Sequence, residues 1–167
     1  MKNNTAKSLI EKSRARLSVG IKKINLKKNF FTRSFSYERT LQGFDHPLTQ
    51  KVVYKPSKGV LELSVVSPTQ KNAQVSRLLC LLGTYRPKGA VIRRKFAEIN
   101  SVHTRIDYEG NGLASQLITE ATHALKNMGV KMITVQVTTE HETVYHNLGF
   151  KCTARTPDGN FFTKEIK

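Results

Sequence analysis

A strand, a long helix and a second strand follow one another in the second half of the chain, and this order limits the possible folds more than any other feature. Residues 91–104 and 131–137 are predicted to be strands because β-branched side chains are frequent in both. Residues 111–127 are predicted to be a helix that ends before Gly129. Its apolar stripe consists of Leu113, Leu117, Ile118, Ala121, Leu125 and Met128. Two strands joined by a crossover helix lie parallel, so the sequence predicts a mixed α/β sheet.

Further strands on both sides of this unit extend the predicted sheet. Residues 140–148 are predicted to form a short helix that ends at Gly149. Two turn signals, at residues 56–59 and 157–160, each separate a pair of strands. These strands are residues 51–55, 60–66, 150–155 and 161–166. The apolar run 75–82 fits either a buried strand or a short helix, because periodicity does not separate the two.

The positive charge is concentrated at the N-terminus. The chain has 28 Lys and Arg against 12 Asp and Glu, a net charge of +16. Residues 1–35 hold ten of these bases and one acid, whereas residues 90–167 hold ten bases and eight acids. We therefore divide the chain into a basic N-terminal arm, residues 1–35, and one domain, residues 36–167.

Three interpretations of the basic arm stay open. It is a solvated arm with a short helix at residues 9–19, a targeting presequence, or a contact surface for RNA, DNA or an anionic surface. No apolar core of a secretory signal and no stretch long enough to span a membrane is present. The two cysteines, Cys80 and Cys152, lie far apart and are predicted to be reduced thiols. We therefore expect a cytoplasmic protein, with organellar targeting as the alternative.

Two glycines, Gly110 and Gly112, lie directly before the long helix. The start of a helix exposes unpaired N–H groups and a positive dipole, so it attracts phosphate, and glycine lets a ligand approach the backbone closely. The same residues also suit a tight turn with no ligand. The P-loop pattern is absent, and so are the glycine and acid spacings of a dinucleotide-binding fold.

Two motifs resemble the GNAT superfamily of acetyl-CoA-dependent N-acetyltransferases. The run Tyr-Glu-Gly-Asn-Gly-Leu-Ala at 108–114 is similar to the family's motif at the start of a helix, and Tyr-His-Asn-Leu-Gly-Phe at 145–150 is similar to its second hallmark. The resemblance covers residues 90–167. It implies a mixed, mostly antiparallel sheet with a splayed parallel strand pair and flanking helices, and opening strands and helices in the first half.

The resemblance also implies where acetyl-CoA would bind. The pantetheine arm would lie between the splayed strands and the pyrophosphate would sit on the glycine turn. The implied cofactor-binding residues are Val102, His103, Thr104, Glu109, Gly110, Asn111, Gly112, Leu113, Ala114, Ser115 and Thr138. No metal-ligand spacing is present, and we expect no metal site.

Three residues are implied to carry the chemistry. Glu98 would accept the proton of the attacking amine, the N–H of Val102 would bind the oxyanion, and Tyr145 would protonate or hydrogen-bond the leaving thiolate. Strand alternation predicts that Glu98, Val102 and Thr104 share one face and that His103 lies on the other. Glu98 could instead be a strand carboxylate paired with a nearby base, and Tyr145 a packing residue.

Departures from the motif keep a second function open. Glu109 occupies the position of the family's Arg or Gln, Asn111 that of a basic residue, and Thr138 that of an Asn. A carboxylate beside a pyrophosphate is repulsive, and Arg105 could compensate for it. The expected function is transfer of acetyl to a primary amine: a protein lysine, a protein N-terminus or a small amine. The alternative is a catalytically weakened scaffold that binds nucleic acid or a partner.

Overall fold

A computed structural model describes residues 34–167 as one eight-stranded sheet with two α-helices. The predicted helix at residues 9–19, and all but two residues of the predicted arm, lie outside the described residues. In chain order the elements are β1 (Phe35–Leu41), β2 (Leu48–Lys55), β3 (Val60–Ser67), β4 (Ala73–Tyr85), β5 (Arg94–Thr104), α1 (Leu113–Asn127), β6 (Val130–Val137), α2 (Glu142–Asn147), β7 (Lys151–Thr156) and β8 (Gly159–Glu165). Short 3-10 turns lie at Pro56–Lys58, Pro68–Gln70, Ile106–Tyr108 and Thr139–His141.

The strand order in the sheet is β1-β2-β3-β4-β5-β6-β8-β7. Neighbouring strands are antiparallel except β5 and β6, which are parallel and joined by α1. The predicted crossover unit and the mixed, mostly antiparallel sheet are therefore confirmed. The predicted hairpin of β2 and β3 is present, and the ambiguous run 75–82 belongs to β4.

Both helices pack on the same face of the sheet. The crossovers β5-α1-β6 and β6-α2-β7 step in the same direction along the sheet, and right-handed crossovers of that kind place their helices on one side. In agreement, Glu120 of α1 contacts Tyr37 on β1, and Tyr145 of α2 packs against Phe162 on β8. We call this side the helix face. Within residues 34–167 no helix lies on the other side, which we call the second face.

The described part of the first half consists of strands and short turns. Residues 34–112 contain five strands and three 3-10 turns, and this described segment has no α-helix. The turn between β2 and β3 is only four residues long and ends at Gly59, whose φ is +59°. No helix of the described residues is long and apolar enough to cross a membrane.

A β-bulge in β5 corrects the predicted faces of the candidate site residues. Leu79 of β4 pairs with Ser101 and the next residue, Cys80, pairs with Ile99, so Asn100 is an extra residue in β5. Such an insertion reverses the alternation of side chains beyond it. The prediction that Glu98 shares a face with Val102 is therefore wrong.

The pairing of β5 with β4 shows on which face of the sheet each candidate site residue lies. Val102 pairs with Leu78, which is buried on the helix face, and Thr104 follows on the same side. Glu98 instead lies on the second face. His103 also lies on the second face, opposite Arg77 on β4, so its predicted separation from Glu98 is wrong as well.

Candidate active site

The two parallel strands separate at their C-terminal ends. Pairing between β5 and β6 ends at Ile99 and Val135, although the strands continue to Thr104 and Val137. The gap opens into a cleft of about 570 Å³ between the two strands. Its lining consists of Ile99, Asn100, Ser101, Val102, His103, Thr104, Tyr108, Glu109, Gly110, Gly112, Leu113, Ala114, Ser115, Ile118, Val135, Gln136, Val137, Thr138, His141, Val144 and Tyr145. The predicted splayed pair is therefore present.

One wall of the cleft is the end of β5. Residues 100–104 pair with β4 along one side only, because pairing with β6 stops at Ile99. Main-chain N–H and C=O groups on the other side have no strand partner and can bind an extended ligand. Val102 is half-buried in this wall, and the Thr104 hydroxyl lies 2.9 Å from that of Ser76.

The glycine turn forms the second wall. Gly110 and Gly112 have φ values of +74° and +76°, and a Cβ at either position would meet no atom within 4 Å. The left-handed backbone therefore explains these glycines, and the space beside them stays open to a ligand. Asn111 lies outside the cleft lining, because its side-chain amide donates back to the carbonyls of Tyr108 and Glu109.

The N-terminus of α1 faces the cleft without a cap. The N–H of Gln116 donates to the carbonyl of Gly112 at 3.0 Å, the first bond of the helix. The N–H groups of Leu113, Ala114 and Ser115 precede this bond and have no partner within the helix. No side chain caps the helix and its first turn contains no acid. The site combines free donors with a positive dipole, which together suit an anion.

Glu109 is exposed in the cleft lining beside this glycine turn. Arg105 does not compensate for it. The Arg105 guanidinium makes two hydrogen bonds to the carboxylate of Asp107 and donates to Oε1 of Gln70 at 3.0 Å. It also stacks over the ring of Tyr108, 5.5 Å from the ring centre. The hypothesis that Arg105 offsets Glu109 is therefore not supported by the geometry.

Tyr145 closes the inner end of the cleft. Its ring packs edge-on against Phe150, with the ring centres 5.4 Å apart, and the residue is 7% exposed. Burial, with a smaller contribution from nearby Cys80, raises the pKa of Tyr145 to about 12. The hydroxyl therefore keeps its proton throughout the neutral range and can act as a hydrogen-bond donor.

Glu98 lies outside the cleft lining. It is exposed on the second face and pairs with Thr134 one step before the parallel pairing ends. The Lys95 amine, one of the alternative partners considered from sequence, donates to the carbonyl of Met128. The carboxylate is available to a molecule that approaches from the second face.

Several lining residues were missed by sequence reasoning. Asn100 and Ser101 are in the cleft because of the bulge, which leaves no signal in the sequence. Tyr108 lies within the quoted motif, and its hydroxyl is 3.3 Å from Nε2 of His46, a distant residue of the first half. Gln136 lies on β6 two residues before Thr138, the residue that the sequence assigned to the site. Thr138 does lie in the lining, as expected.

Metal ligands are not grouped in the described region. Among residues 34–167, no three His, Cys, Asp or Glu side chains lie together as a metal ion would require.

Comparisons with known proteins agree with this architecture. A family model described as an acetyltransferase (GNAT) domain matches residues 60–162. No curated protein sequence matches at a significant level. The structure is similar to Arabidopsis thaliana NAA60 in complex with acetyl-CoA, at 13% identity and a TM-score of 0.56, covering 65% of this chain and 77% of that one. It is also similar to a Trypanosoma brucei acetyltransferase, at 18% identity and a TM-score of 0.54, covering 60% and 68%.

A third similar structure is AtaT complexed with acetyl-methionyl-tRNAfMet, at 12% identity and a TM-score of 0.50, covering 64% of this chain and 71% of that one. Likeness at these identities shows the fold. The family model spans more than half of the chain and includes both the cleft and the glycine turn. The chain is therefore an acyltransferase that belongs to the GNAT acetyltransferase family.

Proposed function

We propose that this protein transfers acetyl from acetyl-CoA to a primary amine by direct attack of the amine on the thioester. The observation that carries the proposal is a cleft in which unpaired strand backbone meets the uncapped start of α1. The first feature suits the amide-rich pantetheine arm and the second suits a pyrophosphate. Acetyl-CoA offers both groups in one molecule.

Acetyl-CoA would lie along the end of β5. The pantetheine amides would bond to the backbone of Val102, His103 and Thr104. The pyrophosphate would accept hydrogen bonds from the N–H groups that begin α1, at Leu113, Ala114 and Ser115. This arrangement directs the thioester towards the point where β5 and β6 separate.

The amine would approach from the second face. Glu98 lies on that face immediately before the separation point, so its carboxylate can accept the amine's proton directly or through a water. A free amine of the lysine type has a reference pKa of about 10.4 and is mostly protonated at neutral pH, so such an acceptor is needed. The backbone N–H of Val102 would stabilise the tetrahedral oxyanion.

Tyr145 would act on the leaving group as a hydrogen-bond donor. A thiol has a reference pKa of about 8.5, whereas the pKa of Tyr145 is raised to about 12. Complete proton transfer from the tyrosine to the thiolate is therefore uphill. A hydrogen bond that strengthens as charge develops on sulfur lowers the barrier without that transfer.

The test combines binding and turnover. We expect acetyl-CoA to bind with micromolar or tighter affinity in calorimetry, and thiol release to depend on an added amine. Glu98→Gln should lower kcat about a hundredfold or more with little change in acetyl-CoA affinity. Glu165→Gln is the matched control, because Glu165 is an exposed carboxylate at the far end of β8. Absence of acetyl-CoA binding, or equal turnover in both variants, would contradict the proposal.

For the acceptor, we propose an amine carried by a macromolecule. The net charge of +16 repels free polyamines, and the second face around Glu98 carries no helix of the described residues that would enclose a small substrate. The amine of a peptide N-terminus, a protein lysine or an aminoacyl-tRNA fits this class, and AtaT shares the fold in a complex with acetyl-methionyl-tRNAfMet. A panel of these acceptors against spermidine tests the idea, and a preference for spermidine would refute it.

A second candidate function rests on Glu109. A carboxylate in the phosphate-binding turn favours an empty helix N-terminus over one that holds an anion. The protein would then be a basic module that binds nucleic acid or an acidic partner through residues 1–35. Nucleic-acid binding that weakens with salt and disappears when residues 1–35 are deleted, without acetyl-CoA binding, would favour this function.

A further inference from the structure

The loops of the domain are segregated by charge between the two edges of the sheet. Strands β1 to β5 alternate in direction, and α1 and α2 each return the chain to the edge where the preceding strand began, so the connections fall alternately at two edges. The edge at the mouth of the cleft, the cleft edge, holds the loops 42–47, 68–72, 105–112, 138–141 and 157–158. The other edge, the basic edge, holds residues 56–59, 86–93, 128–129, 148–150 and 166–167.

Opposite charges dominate the two edges. The cleft-edge loops contain five acids, Asp45, Asp107, Glu109, Glu140 and Asp158, and two bases, Lys71 and Arg105. The basic-edge segments contain five bases, Lys58, Arg86, Lys88, Arg93 and Lys167, and no acid. The described part of the chain also begins at this edge, because β1 starts there. The basic edge is therefore suited to an extended anionic surface.

The loop between β4 and β5 adds an apolar tip to the basic edge. Val91 and Ile92 are 86% and 76% exposed. Exposed bases flank them on both sides: Arg86 and Lys88 before, Arg93 and Arg94 after. None of these four bases forms an ion pair within the part of the chain that the structure describes. Two adjacent large aliphatic side chains in water, surrounded by uncompensated cations, indicate a binding surface.

We propose that the basic edge docks on an anionic lipid surface, with Val91 and Ile92 entering the headgroup region. The phosphate backbone of a nucleic acid would contact the Arg and Lys side chains but leave the two aliphatic side chains exposed. Proteins bind single-stranded nucleic acid through aromatic side chains, and the loop has none. A lipid surface uses both features, because the bases contact headgroups and the aliphatic side chains leave water. This inference is independent of acetyl transfer.

The orientation leaves the active site accessible. β5 runs from the basic edge to the cleft edge over eleven residues, about 33 Å of extended chain. A protein docked by its basic edge would therefore present the cleft mouth to the solvent. Docking on the lipid surface should therefore not affect acetyl transfer. Variants in the loop between β4 and β5 should keep the wild-type level of acetyl transfer.

Sedimentation of the full-length protein with vesicles tests the proposal. We expect binding to vesicles of phosphatidylcholine mixed with phosphatidylserine and much weaker binding to phosphatidylcholine alone. Val91→Ser with Ile92→Ser should weaken binding at least about tenfold, since the aliphatic contribution is lost. Arg93→Gln with Arg94→Gln should weaken it about 25-fold. The matched controls are Ile106→Ser and Lys71→Gln, an 87% exposed aliphatic residue and a base at the cleft edge, and both should bind like wild type.

A fluorescence experiment reports the depth of the loop directly. The protein has no tryptophan, so Ile92→Trp introduces the only one. Its emission should shift to shorter wavelength when phosphatidylserine vesicles are added. Ile106→Trp at the cleft edge should show no shift.

Three outcomes would overturn the proposal. The first is vesicle binding that Val91→Ser with Ile92→Ser leaves unchanged, which would assign binding to residues 1–33 alone. The second is an equal emission shift for both tryptophan positions. The third is binding to duplex RNA or DNA that depends on Arg93 and Arg94 but not on Val91 and Ile92, without vesicle binding, which would assign the basic edge to nucleic acid.

Discussion

Replacement of Glu109 by glutamine should tighten acetyl-CoA binding. Glu109 is exposed in the cleft lining, three residues before the N-cap Gly112. Its charge opposes the pyrophosphate that the start of α1 would hold. Glutamine keeps the size of the side chain and removes only the charge, so the change isolates electrostatics.

The magnitude follows from distance and charge. Three residues of chain with bends at Gly110 and Gly112 place the carboxylate about 7 Å from a phosphate on the helix terminus. Two phosphate charges at that distance in a water-like medium give a repulsion of about 1.2 kcal/mol. Removal of the charge should tighten the Kd about sevenfold at low salt, and about twofold at physiological ionic strength, where the Debye length is about 8 Å.

The assay is calorimetric titration of wild type and Glu109→Gln at two salt concentrations. Acetyl-pantetheine is the matched control ligand, because it has the thioester and amides of acetyl-CoA but not the pyrophosphate, and its affinity should not change. Asp107→Asn is the matched control variant, since Asp107 is a nearby carboxylate already paired with Arg105 and outside the cleft lining.

Two results would refute the reasoning. If Glu109→Gln binds acetyl-CoA more weakly, the carboxylate contributes a favourable contact and the assumed position of the pyrophosphate is wrong. If acetyl-pantetheine gains affinity equally, the effect does not arise from repulsion between charges. Loss of all binding in the wild type would support the second candidate function instead.

Three further changes test other parts of the structure. Tyr145→Phe should lower kcat about tenfold to a hundredfold with KM unchanged, and the wild-type rate should not fall near pH 10, where an ordinary tyrosine ionises, because the pKa of Tyr145 is about 12. Burial raises the pKa of the Cys80 thiol from 9.0 to about 12, so as pH rises the thiol loses its proton in the unfolded state before it does so in the folded state. The free energy of unfolding should therefore fall by about 1.4 kcal/mol per pH unit above pH 9, and urea titrations should show a shallower fall in Cys80→Ala. Glu120→Gln should cost about 1–3 kcal/mol of unfolding free energy, because this mostly buried carboxylate accepts from Tyr37 and pairs with Arg39 at 3.0 Å. Glu38→Gln, in an exposed pair with Lys51, should change it by less than about 0.5 kcal/mol in the same titration.

Periodicity and turn chemistry were sufficient to predict most of the second half. Only one type of secondary structure fits each of three patterns: the apolar stripe of α1, the β-branched residues of β6 and the turn before β8. The structure has these elements within one to three residues of the predicted bounds. The run at 75–82 could not be assigned from periodicity because β4 is flanked by strands on both sides and one of its faces carries a helix. Buried strands lose the alternation that would distinguish them from helices.

The arrangement of the candidate site depended on a local irregularity. Motif matching brought Val102, Gly112 and Tyr145 to one cleft, as the structure has them. It could not assign their faces, because Asn100 shifts the register by one residue and nothing in the sequence marks it. A shift of one residue exchanges the two faces of a strand. Glu98 and Val102 are therefore on opposite faces of the sheet.

The sheet topology changes how the distribution of the net charge is interpreted. Division by residue number places the excess charge in the first half of the chain. When the charged loop residues are grouped by sheet edge, most acids lie at the cleft mouth and most bases lie about one strand length away. Arg105 is an exception, because it lies in the same cleft-edge loop as Glu109, four residues away. In the proposed function the anionic cosubstrate binds at the more acidic edge, where backbone N–H groups and the dipole of α1 favour it. Those groups are fixed by the fold and are independent of the surface charge.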